Sequence, residues 1–240
     1  MPVFDDGPLA AGMTASRPGP PFFAGETNMI RSRLALVAAL LIGAATGTAF
    51  AGNDAVMQLI GKAATDSATR ATLVREGDTA AFFCKNCHGD KGIARNPEVP
   101  NLAGQSPVYV VSQIDAFLSG KRRNEFMQGL MKVLGDREKA AIALFYANQP
   151  AAPAVTPPPP AAAAGADHYK RLCVACHQAT GYGTETFARI AGQQPTYLRL
   201  SLKRYLARSG ERTNAEMSAA VGQLGEQNIE SVVQYLASLK

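Results

Sequence analysis

All four cysteines of this chain, and two of its three histidines, fall into two copies of one pattern: Cys84-Lys85-Asn86-Cys87-His88 and Cys173-Val174-Ala175-Cys176-His177. Two thiols on one turn of chain can each add to one vinyl group of the same porphyrin, and a histidine directly after them is delivered to its iron. The spacing points to two covalently bound haem c groups. Cys84 and Cys87 would hold one and Cys173 and Cys176 the other, with His88 and His177 as axial ligands to iron. Two other chemistries use Cys-x-x-Cys. A redox dithiol does not call for the histidine. A zinc ribbon combines two halves that usually stand about 15–20 residues apart, whereas Cys84 and Cys173 are 89 positions apart and each pair has its own histidine. The motifs use every cysteine, so no disulfide is expected.

The elements that must position these groups can be read around them. The chain has 240 residues and a formal net charge of +5. Two propionates on each haem would bring the loaded protein close to neutral. No basic tract with interleaved aromatics supports binding to nucleic acid. Residues 1–28 have little periodicity and read as a doubtful leader, an over-extended start. Residues 29–51 read as a secretory signal peptide. Arg31 and Arg33 precede an apolar run of twelve from Leu34 to Ala45, and Ala49-Phe50-Ala51 forms a small-x-small cleavage site. The run is too short to span a bilayer comfortably, so no membrane span is expected in the mature chain from Gly52, and the destination is the periplasm. Residues 52–76 read as an N-terminal extension with one short amphipathic helix, in which Val56, Leu59, Ile60 and Ala63 share a face.

Residues 77–149 and 167–240 form an internal repeat. Asp78 and Asp167 each stand six residues before the first cysteine and are expected to cap the helix leading into the motif. Gly92 and Gly181 follow the motifs, then Leu102-Ala103-Gly104-Gln105 and Ile190-Ala191-Gly192-Gln193. Pro107 and Pro195 open a long helix in each copy, with Tyr109 and Tyr197 in register and Gly120 and Gly210 as expected C-terminal caps. Met127 and Met217 come next, and a last amphipathic helix begins after Gly135 and Gly225. A repeat of this length means two domains of one all-α fold rather than one large core. Residues 150–166 are a proline- and alanine-rich linker. Its reach, about 50 Å if fully extended as polyproline, does not require the domains to touch.

Each half resembles a class I cytochrome c, and the tandem resembles the dihaem kind called c4, over residues 77–240. The resemblance implies all-helical domains wrapped around covalent haem, His/Met axial ligation, and periplasmic transfer of single electrons between redox proteins. Such partners include membrane oxidases or reductases and dehydrogenases; the alternative is that the chain is the haem-bearing subunit of a periplasmic dehydrogenase or oxidase complex, whereas an enzyme such as a peroxidase would need a vacant iron position. His88 and His177 match the proximal ligands, and Met127 and Met217 the distal ones, 39 and 40 residues further on. Met131 competes locally with Met127 but aligns with Val221, an apolar packing position. The family also places a proline carbonyl on the proximal imidazole. Pro100 fits, but the aligned residue in the second half is Ala188. Gly89 likewise becomes Gln178. These differences predict a less firmly held His177. Charge differs too: residues 52–150 carry twelve basic and ten acidic side chains, residues 151–240 nine and six. The looser imidazole and the added positive charge both point to a higher potential in the second half.

Three further features have bland readings. His168 is expected to be an exposed first-turn residue, not a ligand. Arg122 and Arg212 suit haem propionates, since a guanidinium offers a planar fork to a carboxylate, or simply solvent. Arg199, Lys203, Arg204 and Arg208 form a basic stripe that would dock an acidic partner, or form a solvated helix face.

Overall fold

The computed structural model describes residues 53–153 and 162–239. The expected leader, the signal peptide and most of the linker lie outside the described residues. What is described is helical, as expected, and forms two lobes that repeat one arrangement. In the first, α1 (Asp54–Thr65), α2 (Ser67–Ala80), α3 (Phe82–His88), α4 (Pro107–Leu118), α5 (Glu125–Lys132) and α6 (Asp136–Ala147) follow in order. The second has α7 (Ala162–Leu172), α8 (Val174–His177), α9 (Pro195–Ala207), α10 (Ala215–Leu224) and α11 (Ile229–Ser238), with a 3₁₀ turn at Glu226–Asn228 before α11.

Side chains cap several helix starts. Ser106 precedes Pro107 and accepts from the Tyr109 amide, and Asn124 and Asn214 accept from the amides of Met127 and Met217 at 2.9 and 2.7 Å. Gly135 opens α6, its N–H donating to Glu138 Oε2. The caps expected at Asp78 and Asp167 are not caps. The helix entering the first motif begins eleven residues earlier, where Asp66 accepts from the Ala68 amide. Asp78 lies inside α2 and pairs with Lys85 at 2.6 Å, and Asp167 lies inside α7. A carboxylate on an exposed helix face and one at a helix start have the same residue type, so position in the repeat alone misplaced them. His168 is likewise seven residues into α7 and bonds Arg171. Gly120 follows α4 as expected, but α9 ends one turn before Gly210, with Arg208 itself in the left-handed conformation.

The first core is assembled by residues assigned to an extension. Val56, Ile60 and Ala63 of α1 and Leu73 of α2 are buried with Val110, Val111, Ile114, Phe117 and Met131. A second core holds Tyr169, Leu198, Tyr205, Val221, Ile229 and Val232. In each lobe the helix entering the motif crosses the last helix at a glycine. A Cβ on Gly77 would run into the carbonyl of Ala141, and one on Gly165 into that of Ser231. Gly165 was expected in the linker; it is part of α7 and of the packing.

The lobes touch. Arg122 and Arg212 form an antiparallel bridge, flanked by Arg123 N–H to Glu211 C=O at 2.8 Å and Thr213 N–H to Lys121 C=O at 2.7 Å. The linker's reach therefore does not keep the two halves apart. Its described start, Ala151 and Ala152, packs on Gly104 and Gly192, the matching glycines of the two turns.

Candidate functional site

The motif residues sit where a short helix meets a loop. α3 carries Cys84, Cys87 and His88, and Cys173 stands just before α8, which carries Cys176 and His177. All four thiols are free. Burial pushes the Cys84 thiol above its ordinary value and Cys173 up to about 11. Among the described residues no three His, Cys, Asp or Glu side chains converge to hold a metal ion.

Both imidazoles are buried, at 7 and 8 % exposure. Burial disfavours the imidazolium and lowers both pKa values, against a carbonyl that works the other way. His88 Nδ1 donates to the Pro100 carbonyl at 2.9 Å, and His177 Nδ1 donates to the Ala188 carbonyl at the same 2.9 Å. The expectation that Ala188 loosens His177 is thus incorrect. The backbone carbonyl, not the proline ring, makes this bond, and alanine supplies it equally well. In both lobes the neutral ring offers Nε2 to an iron.

Gly89 and Gln178, directly after the histidines, turn the chain with positive φ of 81° and 60°. Gln178 pairs this with ψ of 164°, a region that side chains avoid. The Tyr169 hydroxyl donates to its carbonyl at 2.5 Å.

Met127 and Met217 occupy equivalent half-buried places at the start of α5 and α10. Each packs against its lobe's core without being part of its buried set. Met131 is 5 % exposed and belongs to that set. Burial thus separates the two candidates.

Arg122 and Arg212 lie where the lobes meet. Arg122 donates to Gln113 and to the Tyr197 hydroxyl at 3.0 and 2.9 Å. Arg212, buried, donates to Tyr197 and Tyr205 at 2.7 and 2.6 Å and to Ser201 at 3.0 Å. Neither forms an ion pair with a carboxylate among the described residues. Burial alone would raise the Tyr197 phenol, but the two guanidiniums more than reverse this and bring it to about 7.

The residues also fit the macrocycle by what they leave uncovered. Phe82, Phe83 and Phe126 are about two-thirds exposed and Val133 more so, all near the first motif or its methionine. Large apolar side chains so exposed imply an apolar body that covers them. The basic stripe, in contrast, is mostly neutralised within its lobe: Arg199 pairs with Glu230, Lys203 with Glu226 and Arg204 with Glu211. That favours the solvated-face reading.

In the sequence Gln105 and Gln193 stand out only as repeat markers, whereas in the structure both join the lobes. Gln105 Oε1 accepts from the Arg189 amide at 2.8 Å while its Nε2 donates to the Arg189 carbonyl at 3.0 Å. Gln193 does the same to Asn101 of the other lobe, at 2.7 and 2.9 Å. Their identical place in both turns was the available signal.

A family model for cytochrome c matches residues 162–240. The chain is 30% identical over 176 residues to cytochrome c4 of Pseudomonas aeruginosa, covering 68% of this chain and 87% of that protein. It is 30% identical over 175 residues to a thiosulfate dehydrogenase electron acceptor of Stutzerimonas stutzeri, covering 67% and 80%. The crystal structure of reduced recombinant cytochrome c4 from Pseudomonas stutzeri has the same fold. It superposes with a TM-score of 0.63 at 24% identity, over 70% of this chain and 98% of that one.

Proposed function

Because the chain belongs to the dihaem cytochrome c4 family, a group of class I cytochromes c that carry electrons on covalently bound haem c, we propose that it works in the periplasm with both irons held by His/Met pairs. The observation that carries this reading is the doubled arrangement: two free thiols, a buried histidine tied through Nδ1, and a half-buried methionine in register. Haem c, when bound, supplies a one-electron Fe(III)/Fe(II) couple. The chain's own residues set its terms. His88 and His177 present Nε2 in a fixed orientation. The thioethers of Met127 and Met217 are soft ligands that favour the ferrous state and raise the potential. Arg122 and Arg212 receive propionate carboxylates, which supply the negative charge their cluster lacks.

The same arrangement argues for a carrier rather than a catalyst, since oxygen or peroxide chemistry needs an open coordination position. A subunit role is the second reading, favoured by the likeness to a thiosulfate dehydrogenase electron acceptor. It makes a periplasmic dehydrogenase the donor and a membrane oxidase or reductase the next partner. The test is mass spectrometry of protein purified from the periplasm, with a carbon monoxide difference spectrum. Two haem masses on a polypeptide beginning near Gly52, with no carbon monoxide adduct, are expected. One haem mass, or an adduct at either iron, overturns the reading. Co-purification with a dehydrogenase on size exclusion distinguishes subunit from free carrier.

A further inference from the structure

Each inter-lobe glutamine bonds to a particular peptide group. Gln193 Oε1 accepts from the amide N–H of Asn101. That N–H belongs to the same peptide unit as the Pro100 carbonyl, which accepts from His88 Nδ1. In the opposite direction, Gln105 Oε1 accepts from the N–H of Arg189, whose peptide unit contains the Ala188 carbonyl bonded to His177 Nδ1. The two chains of bonds are crossed: the turn of each lobe reaches the proximal histidine of the other. Their lengths match closely, 2.7 and 2.9 Å in one and 2.8 and 2.9 Å in the other. Asn101, Gln105 and Gln193 are all buried, and the bond from Asn101 N–H to Gln193 is itself shielded from water.

A peptide group that donates through its N–H becomes a better acceptor at its carbonyl, because linked hydrogen bonds polarise one another in a low-dielectric interior. A stronger acceptor draws the Nδ1 proton away from the ring and makes the imidazole a more basic ligand. A more basic ligand favours ferric iron. We propose that Gln193 and Gln105 are positioning residues that tune the haem of the opposite lobe, Gln193 lowering the potential at His88 and Gln105 lowering the potential at His177. The inference rests on the His-ligated dihaem reading above. It adds a physical connection between the two redox centres that needs no contact between the haems themselves.

The test uses the full-length holoprotein with haem-resolved redox titration. Gln193→Leu removes the acceptor. It should raise the first-lobe potential, shifting that couple's equilibrium about threefold, or about 28 mV at 59 mV per tenfold, with the second lobe little changed. Gln105→Leu should do the reverse. In the reduced, diamagnetic protein, the His88 Nδ1–H resonance should move upfield in Gln193→Leu while that of His177 stays. A shift in the glutamine's own lobe, equal shifts in both, or an unmoved His88 resonance overturns the inference while leaving the two-haem reading intact. Wild-type protein lacking two His-ligated haems would instead refute that reading.

Discussion

Methionine is a common core filler, and only its degree of burial tells a ligand from packing. Met127 is half-buried in the same register as Met217, while Met131 lies in the core. Met127→Ala and Met217→Ala should each abolish one thioether–iron charge-transfer band and lower one potential. Met131→Ala should leave both bands and cost about 2–5 kcal/mol as a core truncation. A band lost in Met131→Ala but kept in Met127→Ala would reassign the ligand. Gln178 offers a stability test beside the second motif. Its φ of 60° and ψ of 164° suit glycine, the residue at the equivalent Gly89, and such strain costs about 1–3 kcal/mol. Gln178→Gly should therefore raise stability by about 1 kcal/mol in denaturant titration, since the bond from Tyr169 goes to backbone and survives. The paired cysteines, histidines and methionines stand out in the sequence because the chemistry proposed for them restricts residue type. Ala188 was misread because the working group is a carbonyl, which every residue has.

At the scale of the element, the helix entering each motif crosses the last helix of its lobe at a glycine. Gly77 and Gly165 leave no room for a methyl group, and the atoms in the way are backbone carbonyls that cannot swing aside. Gly77→Ala and Gly165→Ala should each destabilise their lobe by about 1–3 kcal/mol or more, read as a lowered unfolding midpoint for that haem's absorbance. Unchanged midpoints would mean that the helices do not cross there. Helix existence and order were readable from periodicity, proline and glycine. The starts of α2 and α7 were not. The alanine-rich first turn of α7 carries little pattern, and the cap of α2 at Asp66 lies outside the stretch that repeats. For the same reason α1, which has no counterpart in the second lobe, read as an extension although it supplies Val56, Ile60 and Ala63 to the core.

For the whole molecule, the question is which haem holds the electron more tightly. Equivalent carbonyls remove one reason for a difference, but charge remains. Arg189 occupies the place of Asn101, next to the peptide that orients His177. Its guanidinium stacks 4.0 Å over Tyr182, and its Nε is buried without a hydrogen-bond partner. A positive charge there disfavours ferric iron, so the second lobe should have the higher potential. Arg189→Asn should lower that potential by about 30–60 mV, roughly a three- to tenfold change in where the electron sits. A higher potential in the first lobe of the wild type would refute the assignment. That the lobes meet at all was not legible. The linker's composition sets a maximum reach, whereas contact is decided by glutamine and arginine side chains pairing with backbone and hydroxyls some ninety residues away.

Few of the groups joining the lobes are apolar. The seam is made of amide pairings, the Arg122–Arg212 bridge and tyrosine hydroxyls, and such contacts add little net free energy apiece. Two separate molecules with this surface would bind weakly. Joined through one chain, the halves meet at an effective concentration on the order of millimolar, so a contact too weak to form between free partners can stay closed. The proline-rich segment thus acts as a source of local concentration as much as a spacer. A protease cut between Pro153 and Ala162 should let the halves part at micromolar concentration, detected as two bodies of about half the mass in sedimentation. Fragments that stay together after the cut would show that the seam suffices alone.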